Sequence, residues 1–94
     1  MAEDSFAPPF KPADALLSLK KQLRDLRLAE RAGAFELKGQ AIVELSAGDE
    51  TIEARLVKRP ARTPEWISHS LRNGADVRRF VEIVKRELAR WAED

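Results

Sequence analysis

Cysteine is absent from this chain of 94 residues. Its absence removes disulfides, thiol nucleophiles and thiolate metal sites together. Small secreted domains lean on disulfides, so a reducing compartment, the cytoplasm, is the expected setting. Tyrosine is also absent, and histidine occurs once, at His69. Few groups are therefore left for acid–base chemistry. The four glycines, Gly33, Gly39, Gly48 and Gly74, are scattered and form no phosphate-cradling loop. Apolar runs are only a few residues long, far short of a membrane span. The opening Met-Ala-Glu-Asp has neither the basic region nor the apolar stretch of a secretory signal.

What is present is patterned. The hydrophobic share of 44% is too high for a disordered chain, and the length suits one domain with one core. Residues 1–12 hold Pro8, Pro9 and Pro12 with Phe6 and Phe10, and read as an extended or disordered tail before a single domain over 13–94. Leu16, Leu19, Leu23 and Leu26 recur at helical spacing and predict a first helix over 13–32, stopped by Gly33. From Phe35 to Leu45 the period changes to two. Phe35, Leu37, Ala41, Val43 and Leu45 face one way and Glu36, Lys38, Gln40 and Glu44 the other. A turn at 46–49 and renewed alternation over 51–59 complete a predicted β-hairpin. The expected register sets Glu36 against Arg59 and Ile42 against Glu53. The competing one would oppose Glu44 to Glu53 and Lys38 to Arg59, like charges that repel.

Thr63-Pro64-Glu65 reads as a helix start, so 64–72 is expected to be a short helix, with a third strand over 65–71 as the alternative. Asp76 is expected to cap a last helix over 77–92, whose buried stripe is Val77, Phe80, Val81, Val84, Leu88 and Trp91. The predicted fold class is α+β. Its order is helix, antiparallel hairpin, short helix or third strand, helix, in two layers with the helices on one face of the sheet.

Charge is unevenly spread. Between Arg55 and Arg79 stand seven Lys/Arg (Arg55, Lys58, Arg59, Arg62, Arg72, Arg78, Arg79) against two acids, Glu65 and Asp76. These seven are the candidate contacts for nucleic acid or another anion, with Trp66 as the candidate stacking platform. The order of elements, with Gly74 before Arg78 and Arg79, resembles that of double-stranded-RNA-binding domains. It departs from them in lacking a clear third strand, a lysine-rich opening to the final helix and an alanine-rich helix body.

Nothing else points to chemistry. His69 lies between Ser68 and Ser70, but sequence adjacency is not triad geometry. A hydrolase around His69 is the minor alternative to a chain with no catalytic residues. Asp49, Glu50 and Glu53 cluster at the hairpin tip without a calcium-loop pattern, so no metal and no cofactor are expected. The expected role is a small non-catalytic interaction protein. It would act on a protein partner or on itself as a homodimer, with Phe6, Phe10, Ile42 and Val57 as candidate partner contacts. Nucleic-acid binding through 55–79 is the alternative; neither a membrane nor a small-molecule substrate is expected.

Overall fold

The computed structural model describes residues 10–93. They form an α+β fold of two helices and a five-stranded antiparallel sheet. The order is α1 (Pro12–Asp25), β1 (Ala29–Arg31), β2 (Ala34–Leu37), β3 (Gln40–Ala47), β4 (Ile52–Val57), β5 (Trp66–Leu71) and α2 (Gly74–Ala92). The strands follow one another across the sheet as a meander, β1-β2-β3-β4-β5. The helices touch each other, α1 touches β3 and α2 touches β5. They therefore lie over the same face of the sheet.

The first helix is shorter than its leucine spacing predicts. Pro12 occupies its first turn, and Leu19 and Leu23 are fully buried, while Leu17 is 67% exposed. The helix ends at Asp25, and Arg27 takes a positive φ of 70°. That turns the chain so that Leu28 enters the core and 29–31 become a strand. Ala32 and Gly33 then form a two-residue turn with φ of 52° and 82°. Gly33 is thus a hairpin turn and not a helix stop. Positive φ at both central residues matches the natural twist of paired strands.

Lys38 and Gly39 repeat the device, with φ of 54° and 83°. The expected single strand over 35–45 is therefore two strands. The alternation had hidden this. A two-residue turn should reverse which parity faces the core, but the register slips by one between Phe35↔Val43 and Glu36↔Ala41. That bulge leaves Ile42 as an extra residue and restores the parity at Val43. Ile42 and Val43 are both fully buried.

The β3–β4 register also differs from the expected one. Glu44 opposes Arg55 and Val43 opposes Leu56. The four-residue loop Gly48–Thr51 is closed by the Gly48 amide donating to the Thr51 carbonyl at 2.8 Å. This register turns the feared like-charge contact into the Arg55–Glu44 ion pair.

Residues 66–71 are a strand, not a short helix. In strand period Ile67, His69 and Leu71 fall on one face and Trp66, Ser68 and Ser70 on the other, and a strand gives the segment the free side of β4. Helix α2 begins at Gly74, earlier than expected, and Asn73 is its cap. The Asn73 side chain accepts from the Asp76 amide at 2.8 Å, and the Asp76 carboxylate accepts from the Arg72 amide at 3.0 Å. The first bond satisfies a donor that a helix start leaves open, and the second takes up the amide of the residue just before the cap. One core unites Leu19 and Leu23 of α1, Phe35, Val43, Ile52 and Leu56 of the sheet, and Val77, Phe80, Val81 and Val84 of α2.

Asn73→Ala is expected to cost about 1 kcal/mol, read as a thermal midpoint lower by roughly 4–8 °C. An unchanged melting curve would show that the cap does not hold the start of α2.

Candidate functional site

The two edges of the sheet are built differently. At one edge β1 is three residues long, and its central Glu30 is held by Lys20 at 3.2 Å and Arg24 at 3.0 Å. The hydrogen bond from Lys20 is the main reason the Glu30 carboxyl titrates below its ordinary range. The charges of Lys20 and Arg24 add to this, and partial burial opposes it. A short, charged edge strand is poorly suited to recruiting another strand. At the other edge β5 is six residues long and carries no charged residue and no proline. Its Ile67 is 42% exposed.

The backbone of β5 has a defined phase. Lys58 and Glu65 are opposite in the β4–β5 register, and the Lys58 amide donates to the Glu65 carbonyl at 2.9 Å. In an antiparallel ladder, hydrogen-bonded and non-hydrogen-bonded pairs alternate. The backbone groups of Ile67, His69 and Leu71 therefore point at β4. Those of Trp66, Ser68 and Ser70 point away from it, to the side on which no described strand lies. The Gly48–Thr51 bond fixes the β3–β4 ladder in the complementary phase, with Glu53 and Arg55 bonded toward β3. Thus β5 offers donors and acceptors at three successive positions along its outer side.

Side chains on the sheet face away from the helices form a polar row. Arg55 pairs with Glu44 and lies over the Trp66 ring at 5.0 Å from its centroid. The Ser70 hydroxyl donates to the Glu53 carboxylate at 2.9 Å. On the helix face His69 meets Phe80 edge-on, with ring centroids 5.4 Å apart. Ile83 lines the clefts on either side of His69, flanked by Arg79 toward one end of β5 and by Arg86 and Glu87 toward the other.

His69 and its two serine neighbours consequently stand on opposite faces of the sheet, and no Ser–His pair forms. Among the described residues no group of three or more His, Asp or Glu could hold a metal ion. No helix there is long and apolar enough to cross a membrane. A second cleft of about 380 Å³ lies between Leu26, Leu37, Pro60, Leu88 and Trp91. Besides the Trp91 indole, its polar side chains are Lys38 and Gln40. The indole N–H of Trp91 is buried without a hydrogen-bond partner among the described residues.

The seven basic candidates do not form one patch. Arg55 is on β4 and engaged by Glu44. Lys58, Arg59 and Arg62 sit in the loop before β5, and Arg72, Arg78 and Arg79 follow it. The two groups are separated by the length of β5, about 17 Å at the usual rise per residue. Arg79 is paired with Asp76 at 3.2 Å. Trp66 is half-buried and packs against the core as well as under Arg55.

Of the candidate partner contacts, Ile42 and Val57 are core residues, 0% and 1% exposed, and no partner can reach them. Phe10 packs against the same core. Phe6 lies outside the described residues. The positions that sequence reasoning missed are Ile67, Ser68 and Ser70. The available signal was a run of six uncharged residues, 66–71, in a chain that is 35% charged.

Two tests address the edges. Because the folded-state value of Glu30 is lowered, its contribution to stability is present above the ordinary glutamate range. It is lost as pH falls through the lowered value. Glu30→Gln is expected to flatten that acidic limb of the stability profile; coincident profiles for the two proteins would count against the Lys20–Glu30–Arg24 clasp. Ser68→Pro removes an amide that β4 does not use, so it is expected to leave the fold within about 1 kcal/mol of the parent. His69→Pro removes an amide bonded to β4 and is expected to cost about 1–3 kcal/mol. Denaturant titration gives both values, and the opposite order would mean that the phase of β5 is reversed. No protein-family model matches the chain, and no curated protein and no solved structure matches it either.

Proposed function

We propose that this chain is a small non-catalytic interaction module that engages its partner by strand addition along β5. The observation that supports this best is the contrast between the two sheet edges. The β1 edge is short and clasped by charge, whereas β5 is longer, uncharged and has outward-facing backbone groups at Trp66, Ser68 and Ser70. An added strand gains main-chain hydrogen bonds from such an edge, and the alternate side chains supply selectivity. On the helix face the recruited strand would meet Ile67 and the clefts beside Ile83. On the other face it would meet Trp66 and the two serines.

Nucleic-acid binding has less support. The cations at the two ends of β5 are set apart, and on the sheet face between them Arg55 is paired with Glu44 while Glu53 adds a negative charge. A like-charged group in that position opposes a phosphate backbone laid across the sheet.

Selection of a phage-displayed library of random linear peptides on the folded protein is expected to yield binders whose affinity falls at least about tenfold with Ser68→Pro, the cost of roughly 1.4 kcal/mol in lost pairing. Failure to select any peptide, or binders indifferent to Ser68→Pro, would overturn strand addition. Binding of mixed oligonucleotides that weakens steeply with salt would favour the nucleic-acid alternative.

A further inference from the structure

The open stretch of β5 is bounded at both ends. Pro64 has no amide to give, and the Arg72 amide is already donated to the Asp76 carboxylate at 3.0 Å. These two stops lie four residues before and four residues after Ser68. Between them the outward backbone groups belong to Trp66, Ser68 and Ser70, again centred on Ser68. A strand with free groups placed evenly about its midpoint is complementary to an antiparallel copy of itself.

We infer that the partner of the β5 edge is a second copy of this chain, paired antiparallel about a two-fold axis through Ser68, so that two sheets become one. This rests on strand addition along β5 and names the occupant. In this register Trp66 faces the partner's Ser70, and Ser68 faces the partner's Ser68. All three outward positions are hydrogen-bonded pairs, and none of their donors or acceptors is left over. Ile67 meets the partner's His69 on the helix face, which removes its exposed side chain from water. A register shifted by two residues toward Arg72 would pair Trp66 with the partner's Arg72, whose amide is taken. One shifted the other way would pair Ser70 with the partner's Pro64, which has none.

The second helix carries the same symmetry. It runs back along β5 with Ile83 beside His69, near the level of the axis. The axis perpendicular to the sheet brings the two copies of α2 side by side and antiparallel. Arg79 then lies toward the partner's Glu87, and Asp76 toward the partner's Arg90. Each of these positions belongs to an ion pair within its own chain, Asp76 with Arg79 and Glu87 with Arg90, so the two ends of the helix row meet as pairs of mixed sign, with Arg86 beside Glu87. A symmetric interface has to be self-complementary in this way.

The chain has no cysteine, so a single introduced thiol reports the register directly. Opposed hydrogen-bonded residues have Cα atoms about 5.5 Å apart, a spacing a disulfide accepts. Ser70 lies about 13 Å from the partner's Ser70 along the strand, which a disulfide cannot bridge. Mild oxidation of the full chain is expected to cross-link Ser68→Cys and not Ser70→Cys. Sedimentation equilibrium is expected to show a dimer for the parent chain and a monomer for Ser68→Pro, with unchanged far-ultraviolet circular dichroism. Cross-linking of Ser70→Cys in place of Ser68→Cys, or a dimer that survives Ser68→Pro, would overturn the pairing. A monomeric parent chain that still binds selected peptides in a Ser68-dependent way would end self-pairing and leave strand addition standing. A monomeric chain that binds none would end both.

Discussion

The fold and its candidate interface both depend on the hydrogen-bond phase between β4 and β5. The Lys58 amide donating to the Glu65 carbonyl decides which backbone groups of β5 are consumed inside the sheet and which are left facing outward. The same pairing sends Ile67, His69 and Leu71 toward the helices and Trp66, Ser68 and Ser70 toward the opposite face. A slip of one residue would exchange the two sets. Leu71 would lose its place in the core and His69 its contact with Phe80. The register is therefore held by apolar burial on the helix side, and the open edge inherits its pattern from that core.

Around this ladder the structure manages its weak points unevenly. The β1 edge is closed by Glu30 with two cations from α1, a clasp that ties the first helix to the strand that follows it. The junction after β5 is closed by Arg72, Asn73 and Asp76, which both cap α2 and end the free ladder. One set of hydrogen bonds thus serves helix stability and strand limits together. Isolated exposed ion pairs contribute little to stability. Their effect here is positional, since they determine where the backbone remains available.

Much of the core was legible in the sequence. The stripe of α2 from Val77 to Val84, the pair Leu19 and Leu23, and the inward row Phe35, Val43, Ile52 and Leu56 all lie where periodicity put them. The strand count was not legible. A tight turn at Lys38-Gly39 followed by a bulge at Ile42 preserves odd-numbered alternation, so two strands carry the pattern of one. Residues 26–31 continued a helical leucine spacing, yet Arg27 in the left-handed region turned them into β1. The segment 64–72 presented a hydroxyl, a proline and an acid in the order of a helix start. The vacant side of β4 took it as a strand instead.

By itself the sequence determined the class of the fold, the two amphipathic rods and the residues that must be buried, because hydrophobic periodicity is written locally and burial follows from it. It also excluded thiol chemistry outright. Only the tertiary structure decided that Ile42 and Val57 are core, that the basic residues divide into separated groups, and that Ser68 stands at the midpoint of an open edge. Those properties depend on which strand lies beside which and in what phase. Long-range hydrogen bonding sets that phase, and no window of neighbouring residues contains it.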